Sequence, residues 1–157
     1  MIRYKNTQFG WVVVAVCLLV GSVLLIVSIS NKNIEHLKGG FLLGAFIVFS
    51  CVLLFNSLTT IVTDEYVKVY FGSGLIQRKI YLNQIIEAKA IQNSFVLGWG
   101  IRLGVGFVMW NVSGFQSIEL TLKNKKWKFR IGTDKPDELF HAIESALKEQ
   151  QLSVKVD

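Results

Sequence analysis

Two uncharged runs limit what this chain can fold into. Phe9 to Ile29 and Gly39 to Leu58, 21 and 20 residues long, contain no Asp, Glu, Lys, Arg or His. A helix rises about 1.5 Å per residue, so about 20 apolar residues cross a hydrocarbon core of about 30 Å. Each run is therefore long enough for one full span. Across all 157 residues, 52% hydrophobic content, 18% charged content and a mean hydropathy of +0.45 are too apolar for one soluble globule. The pattern excludes a soluble protein, a secreted disulfide scaffold and a disordered chain.

The runs divide the chain into a cytoplasmic tail (1–8), a first transmembrane helix (9–29), a short external connector (30–38), a second transmembrane helix (39–58) and a cytoplasmic domain (59–157). The connector SNKNIEHLK is too short to be a domain, so the spans should be neighbouring antiparallel helices. Arg3, Lys5 and the small residues around Ile29 also resemble a signal peptide, but the first run exceeds the usual apolar region of about 7 to 15 residues. Lys68, Arg78 and Lys79 follow the second span and Arg3 and Lys5 precede the first, which under the positive-inside rule puts both termini in the cytoplasm of a two-span cell-membrane protein.

Within the spans, Gly10, Cys17, Gly21 and Ser28 fall on one helical stripe, as do Gly40, Gly44 and Cys51. Small stripes let backbones approach closely in lipid, so Gly10, Gly21, Gly40 and Gly44 are the candidate helix-packing positions, within the hairpin or between copies. A Gly44→Leu change is expected to weaken any assembly that uses this stripe. Neither run holds an ionisable side chain of the kind a transport path needs.

The remaining 99 residues read as strands closed by one helix. Thr59 to Thr63 is a β-branched first strand. Tyr66–Phe71 and Leu75–Ile80 flank Gly72-Ser73-Gly74 as a hairpin, and further strands are expected over Ile85–Gln92 and Phe107–Val112. Gly98, Gly100, Gly104 and Gly106 mark a loop that contains Trp99 and Arg102. Ser117–Lys123 and Lys126–Ile131 alternate on either side of Asn124-Lys125, a tight-turn pattern. That register puts Ile118, Leu120 and Leu122 on one face with Trp127, Phe129 and Ile131, and Glu119 opposite Arg130 on a basic face. Thr133 to Glu138 carries helix-start signals, and Leu139, Ala142, Ile143, Ala146 and Leu147 recur at helical spacing. Six or seven strands and one amphipathic helix make an antiparallel β structure with a helical cap.

The strand order, together with Trp99-Gly-Ile-Arg102, Asn111-Val-Ser-Gly114, Arg130-Ile-Gly-Thr-Asp134 and the final helix, resembles the bacterial pleckstrin-homology-like (PH-like) proteins anchored by two membrane helices. The resemblance covers nearly the whole chain. It implies a two-helix transmembrane hairpin followed by a mainly β domain of two roughly orthogonal antiparallel sheets with a C-terminal capping helix. Eukaryotic relatives of the fold often bind phosphoinositides through a first-hairpin Lys followed by Lys/Arg-x-Arg. Lys68 and the adjacent Arg78–Lys79 depart from that spacing, so inositide recognition is not carried over.

No metal-ligand spacing, phosphate-binding loop or thiol in the domain points to catalysis, so no enzyme activity and no cofactor are expected. The domain is +3 within a chain of +6. Lys123, Lys125, Lys126, Lys128 and Arg130 concentrate that charge, and near an anionic leaflet each basic residue contributes about 1 kcal/mol. Few aromatics accompany them, which argues against nucleic acid. The reading is a non-catalytic module integral to the lipid bilayer that contacts anionic lipid headgroups or a protein partner, with Trp99, Arg102 and Trp110 as further candidate contacts. The alternative is a structural protein that assembles as a homo-oligomer.

Overall fold

The computed structural model describes residues 1–30, 37–94 and 98–153. Strand β1 (Ile2–Phe9) comes first, then helices α1 (Trp11–Ser30) and α2 (Lys38–Phe55). Only 11% and 6% of their apolar stretches are buried, so these are not the core helices of a soluble fold, and both are long and apolar enough to cross a membrane. Most of the connector, residues 31–36, lies outside the described residues.

The first eight residues are not a tail. β1 pairs antiparallel with β2 (Ser57–Thr63), from Ile2 opposite Thr63 to Phe9 opposite Ser57. The helices are thus inserted between two neighbouring strands of one sheet, and the Gly10 N–H donates to the Asn56 carbonyl at 2.8 Å across the base. The second span stops at Phe55 rather than residue 58, because Ser57 and Leu58 turn into β2 and bury there. Chain segments before α1 and after α2 therefore lie on the same side of any membrane the helices cross.

β3 (Tyr66–Phe71) and β4 (Gln77–Tyr81) extend β1 and β2 into a four-stranded antiparallel sheet. Gly72 makes the β3–β4 turn at φ +42°, where an added Cβ would lie 2.7 Å from the Leu53 carbonyl oxygen. Only glycine suits both the left-handed backbone and that approach to α2. After a 3-10 turn at Leu82–Gln84, β5 (Ile85–Gln92), β6 (Gly100–Gly104), β7 (Phe107–Asn111), β8 (Gln116–Leu122) and β9 (Lys128–Gly132) form a second sheet in the order β5-β8-β9-β7-β6. The fold is a mainly β domain of two sheets with the C-terminal helix α3 (Pro136–Ser153), as the sequence predicts.

Three details differ. Nine strands occur among the described residues, because β1 and the glycine-flanked β6 add to those expected. The second sheet is mixed, since β9 inserts between β8 and β7 and runs parallel to β7. The β8–β9 register agrees with expectation, Ile118 opposite Ile131 and Leu120 opposite Phe129, but Trp127 is 52% exposed instead of buried. Leu122 pairs with Ile85 of β5, and β9 begins only at Lys128.

Between the sheets lie Val62, Val67, Val69 and Phe71 from one side and Trp110, Ile118, Leu120 and Phe129 from the other, closed by Leu139, Ile143 and Ala146 of α3. Thr133 Oγ1 accepts the Lys135 N–H at 3.0 Å, a side-chain turn that leads the chain into that helix. A chain of rings runs from the last residue of α2 into this core: Phe55–Phe71 at 5.1 Å, Phe71–Trp110 at 5.2 Å and Trp110–Phe129 at 5.6 Å between centroids. Trp110 is thus a core residue, 7% exposed, and not the surface contact its neighbours in sequence suggest.

Truncating Trp110 removes the ring that joins Phe71 to Phe129 in that chain. Trp110→Ala should destabilise the full-length protein by about 3–5 kcal/mol in denaturant or thermal melts followed by near-ultraviolet circular dichroism. Leu103→Ala, at a 79% exposed position, should stay within about 0.5 kcal/mol. Equal effects at the two positions would show that Trp110 is not part of the core.

Candidate membrane-facing site

Strand direction assigns each turn to one of two ends. Phe9, Ser57, Phe71, Gln92, Gly100, Asn111, Gln116 and Gly132 are the strand termini at the helix end of the sheets. Cross-contacts agree: the Gln8 side-chain N–H donates to the Ser113 carbonyl at 2.9 Å, and a Cβ on Gly10 would lie 3.1 Å from the Val112 carbonyl oxygen. The described connecting residues at this end are 72–76 (GSGLI), Asn93, Ser94, Gly98 and Trp99, and 112–115 (VSGF), and none of them is charged. Leu75, Phe9 and Trp11 are 79%, 53% and 73% exposed there, and the Phe9 and Trp11 rings lie 5.8 Å apart. Aromatic and apolar side chains at the ends of two spans match the boundary of a bilayer, where amphipathic rings concentrate.

The basic hairpin is at the other end. β8 climbs from Gln116 at the helix end to Leu122, about 20 Å at about 3.3 Å per residue, before Lys123, Lys125 and Lys126 begin. That is about twice the Debye length of 8–10 Å. Lys128 and Arg130 do not form a free ribbon either: both bond to Glu119, at 2.6 and 2.8 Å. Arg130 also stacks 3.6 Å from the Phe107 ring centroid and donates to Asn93 at 3.4 Å. Burial pushes the Glu119 carboxyl up, but its bonds and charge attraction to Lys128 and Arg130 outweigh this and hold it below the ordinary glutamate value.

A denser cationic surface lies on the first sheet. Its four strands contain Arg3, Lys5, Lys68, Arg78 and Lys79 and no Asp or Glu. Arg3 is neutralised by Asp64 and Glu149, and Arg78 turns inward over the Phe129 ring at 4.6 Å. The other three form a row across the outer face, since Lys5 pairs with Ile61, Ile61 with Lys68, and Lys68 with Lys79. Among the described residues Lys5, Lys68 and Lys79 form no ion pair. Lys79 lies 3.7 Å from the Tyr66 ring centroid and 4.8 Å from that of Tyr81, and Lys68 lies 5.6 Å from that of Tyr70. A groove beside Lys68 is lined by Tyr70, Ser73, Gly74 and Gln77. Paired residues share one level, and Lys5 stands four residues up β1 from Phe9, so the whole row lies about 13 Å above the helix end, of which a lysine side chain can span about half.

Sequence reasoning missed this row because Lys5 lay in the presumed tail. The available signal was the acid-free alternation of Arg3, Lys5, Lys68 and Lys79 with apolar or polar inward positions. The other singled-out residues are dispersed. Trp99 and Arg102 line a cavity of about 300 Å³ under the domain, together with Val13 of α1, Cys51 and Phe55 of α2, and Val112. Gly21 is buried against Phe49, where an added Cβ would lie 2.9 Å from the ring, and Gly44 faces Leu24 at 3.5 Å. Gly10 meets the β domain rather than α1's partner helix, with an added Cβ 3.1 Å from the Val112 carbonyl oxygen, and Gly40 has nothing among the described residues within 4 Å of an added Cβ. Comparisons with protein families, with curated proteins and with solved structures return no match to this chain.

The Glu119 cluster has a pH signature. Because the folded value of Glu119 lies below its ordinary one, its stabilising contribution is complete above pH about 4.3 and is lost as pH falls through the lowered folded value. Glu119→Gln should cost about 1–3 kcal/mol at pH 7, discounted because the Lys128 side chain is 49% exposed. Between pH 5 and 3, roughly the carboxylate range, melts of the variant should lose less stability than those of the parent chain. Parallel losses would show that Glu119 does not titrate as described.

Proposed function

We propose that this chain is a membrane-anchored, non-catalytic binding module whose β domain is PH-like and sits on the cytoplasmic face of the cell membrane, with both termini on that side. Its ligand is the anionic headgroup layer next to the spans, and the binding surface is the Lys5, Lys68 and Lys79 row with its tyrosines. The observation that carries this reading is the unneutralised row itself. Lys68 and Lys79 face each other across adjacent strands, an arrangement of like charges that destabilises a sheet. Retaining it in a sheet with no acid suits a surface that meets anions.

Position supports the same reading. The sheet is continuous with both helices, so its cations are rooted about 13 Å above the helix end, a little over one Debye length, whereas the tip lysines at 123, 125 and 126 are rooted about two away. Uncharged connections at the helix end remove the desolvation cost that charged loops would impose on close approach to lipid. The tyrosines hold the ammonium groups by cation–π contact without neutralising them.

Amine labelling of the full chain in nanodiscs tests the proposal. Replacing part of a phosphatidylcholine disc by phosphatidylglycerol should slow acetylation of Lys5, Lys68 and Lys79 about fivefold, from about 1 kcal/mol per cation. High salt should abolish the protection, and Lys125 and Lys126 should be unaffected. Equal labelling rates in the two discs, or protection that appears only when an acidic protein is added, would rule out headgroup binding at this face.

A further inference from the structure

The cavity between the helices and the second sheet is not explained by the lysine face. Its walls come from three parts of the fold: Val13 in the first turn of α1, Cys51 and Phe55 in the last turns of α2, and the start of β6 with Ile101 and Arg102. Cys51 precedes the end of α2 by four residues, about 6 Å along the helix, so the cavity reaches from the domain into the outermost turns of the spans. At about 300 Å³ it is at the small end of ligand sites, room for one chain segment and not for a whole lipid.

The lining is apolar apart from Arg102, which is exposed and forms no ion pair among the described residues. A second polar group lies in the same wall: the Trp99 indole N–H is buried and has no hydrogen-bond partner among the described residues. Gly98 and Gly100 flank that tryptophan at φ +60° and +95°, left-handed conformations that glycine adopts without strain. Arg102 Nη2 lies 3.5 Å from where a Cβ on Gly98 would stand, so the guanidinium folds back over this turn. An apolar space at hydrocarbon depth beside an unpaired guanidinium has the polarity of an anionic amphiphile, charge outward and chain inward.

The geometry points to a dedicated site for one anionic phospholipid of the leaflet the domain faces. Its phosphate pairs with Arg102 and the first segment of one acyl chain enters the cavity against Val13, Cys51 and Phe55. A planar guanidinium suits a phosphate in two-point contact, which a zwitterionic lipid offers less well because its own ammonium competes. The inference shares the membrane reading with the proposed function but uses none of its lysines, so the two can fail separately.

Tryptophan quenching by brominated lipids tests it on the full chain in nanodiscs. In a Trp11→Phe background the remaining tryptophans are Trp99 at the cavity, Trp110 in the core and Trp127 at the far end, so quenching reports the cavity. Brominated phosphatidylglycerol should half-quench at about a tenfold lower mole fraction than brominated phosphatidylcholine. Arg102→Gln should erase that preference and Arg102→Lys, which keeps the charge but not the two-point contact, should keep only part of it, with unchanged near-ultraviolet circular dichroism showing that the fold is intact. Cys51→Phe, which fills the cavity, should abolish quenching by both lipids. Equal half-quenching fractions in the parent background, or a preference that survives Arg102→Gln, would overturn the site. Failure of either lipid to quench Trp11 in the unmodified chain would overturn the membrane reading itself, and the site with it.

Discussion

The pairing of β1 with β2 sets the rest of this architecture. Two helices leave a sheet and return to it between adjacent strands, joined at the base by one backbone hydrogen bond from Gly10 to Asn56. Because hydrogen-bonded strands lie about 4.8 Å apart and helices pack 8–10 Å apart, the helices must splay only slightly before they contact each other. Gly21 against Phe49 and Gly44 against Leu24 show how that contact is made. A hairpin inserted this way has no free linker. The domain is oriented relative to the two helices by the sheet itself and does not hang from them on a tether.

Legibility in the sequence follows from how local each signal is. The β8–β9 register was readable because alternation and the turn lie within 15 residues of each other, Ser117 to Ile131. The α3 face was readable for the same reason, and Leu139 and Ile143 are fully buried. β1 was not, because its partner is more than 40 residues away and two of its inward positions are polar: Asn6, bonded to Asp134 at 2.6 Å, and Gln8, bonded to Ser113. β6 was hidden by glycines that serve its ends. The parallel β7–β9 pair has no local signature at all, since β8 separates the two strands in the chain and no short turn can join a parallel pair.

The short motifs behind the family resemblance turn out to join parts of the fold. Asn111 caps its own turn, with its side chain donating to the Gly114 carbonyl at 3.0 Å and accepting the Ser113 N–H at 3.3 Å. Gly132 has no room for a side chain because Asn111 occupies the space where its Cβ would be. Two motifs far apart in the chain are therefore one packed junction. Such residues report how β7 and β9 pack side by side in the second sheet, and they say nothing about a ligand. The residues proposed for binding, Lys5, Lys68, Lys79 and Arg102, come from a different criterion: charge that forms no ion pair among the described residues.

That criterion has weight only because the domain is rigidly placed. The rings of Phe55, Phe71, Trp110 and Phe129 carry the end of α2 into the centre of the core without a break. Gly72 presses the β3–β4 turn against the last carbonyls of the same helix. A flexible tether would let every cation sample the surface, and the longest basic run, at 123–126, would dominate by number. A fixed sheet instead ranks cations by height above the leaflet, where a difference of about one Debye length reduces an electrostatic contribution by a factor of about three. Three lysines low on the first sheet then outweigh three at the far tip, although composition counts them equally.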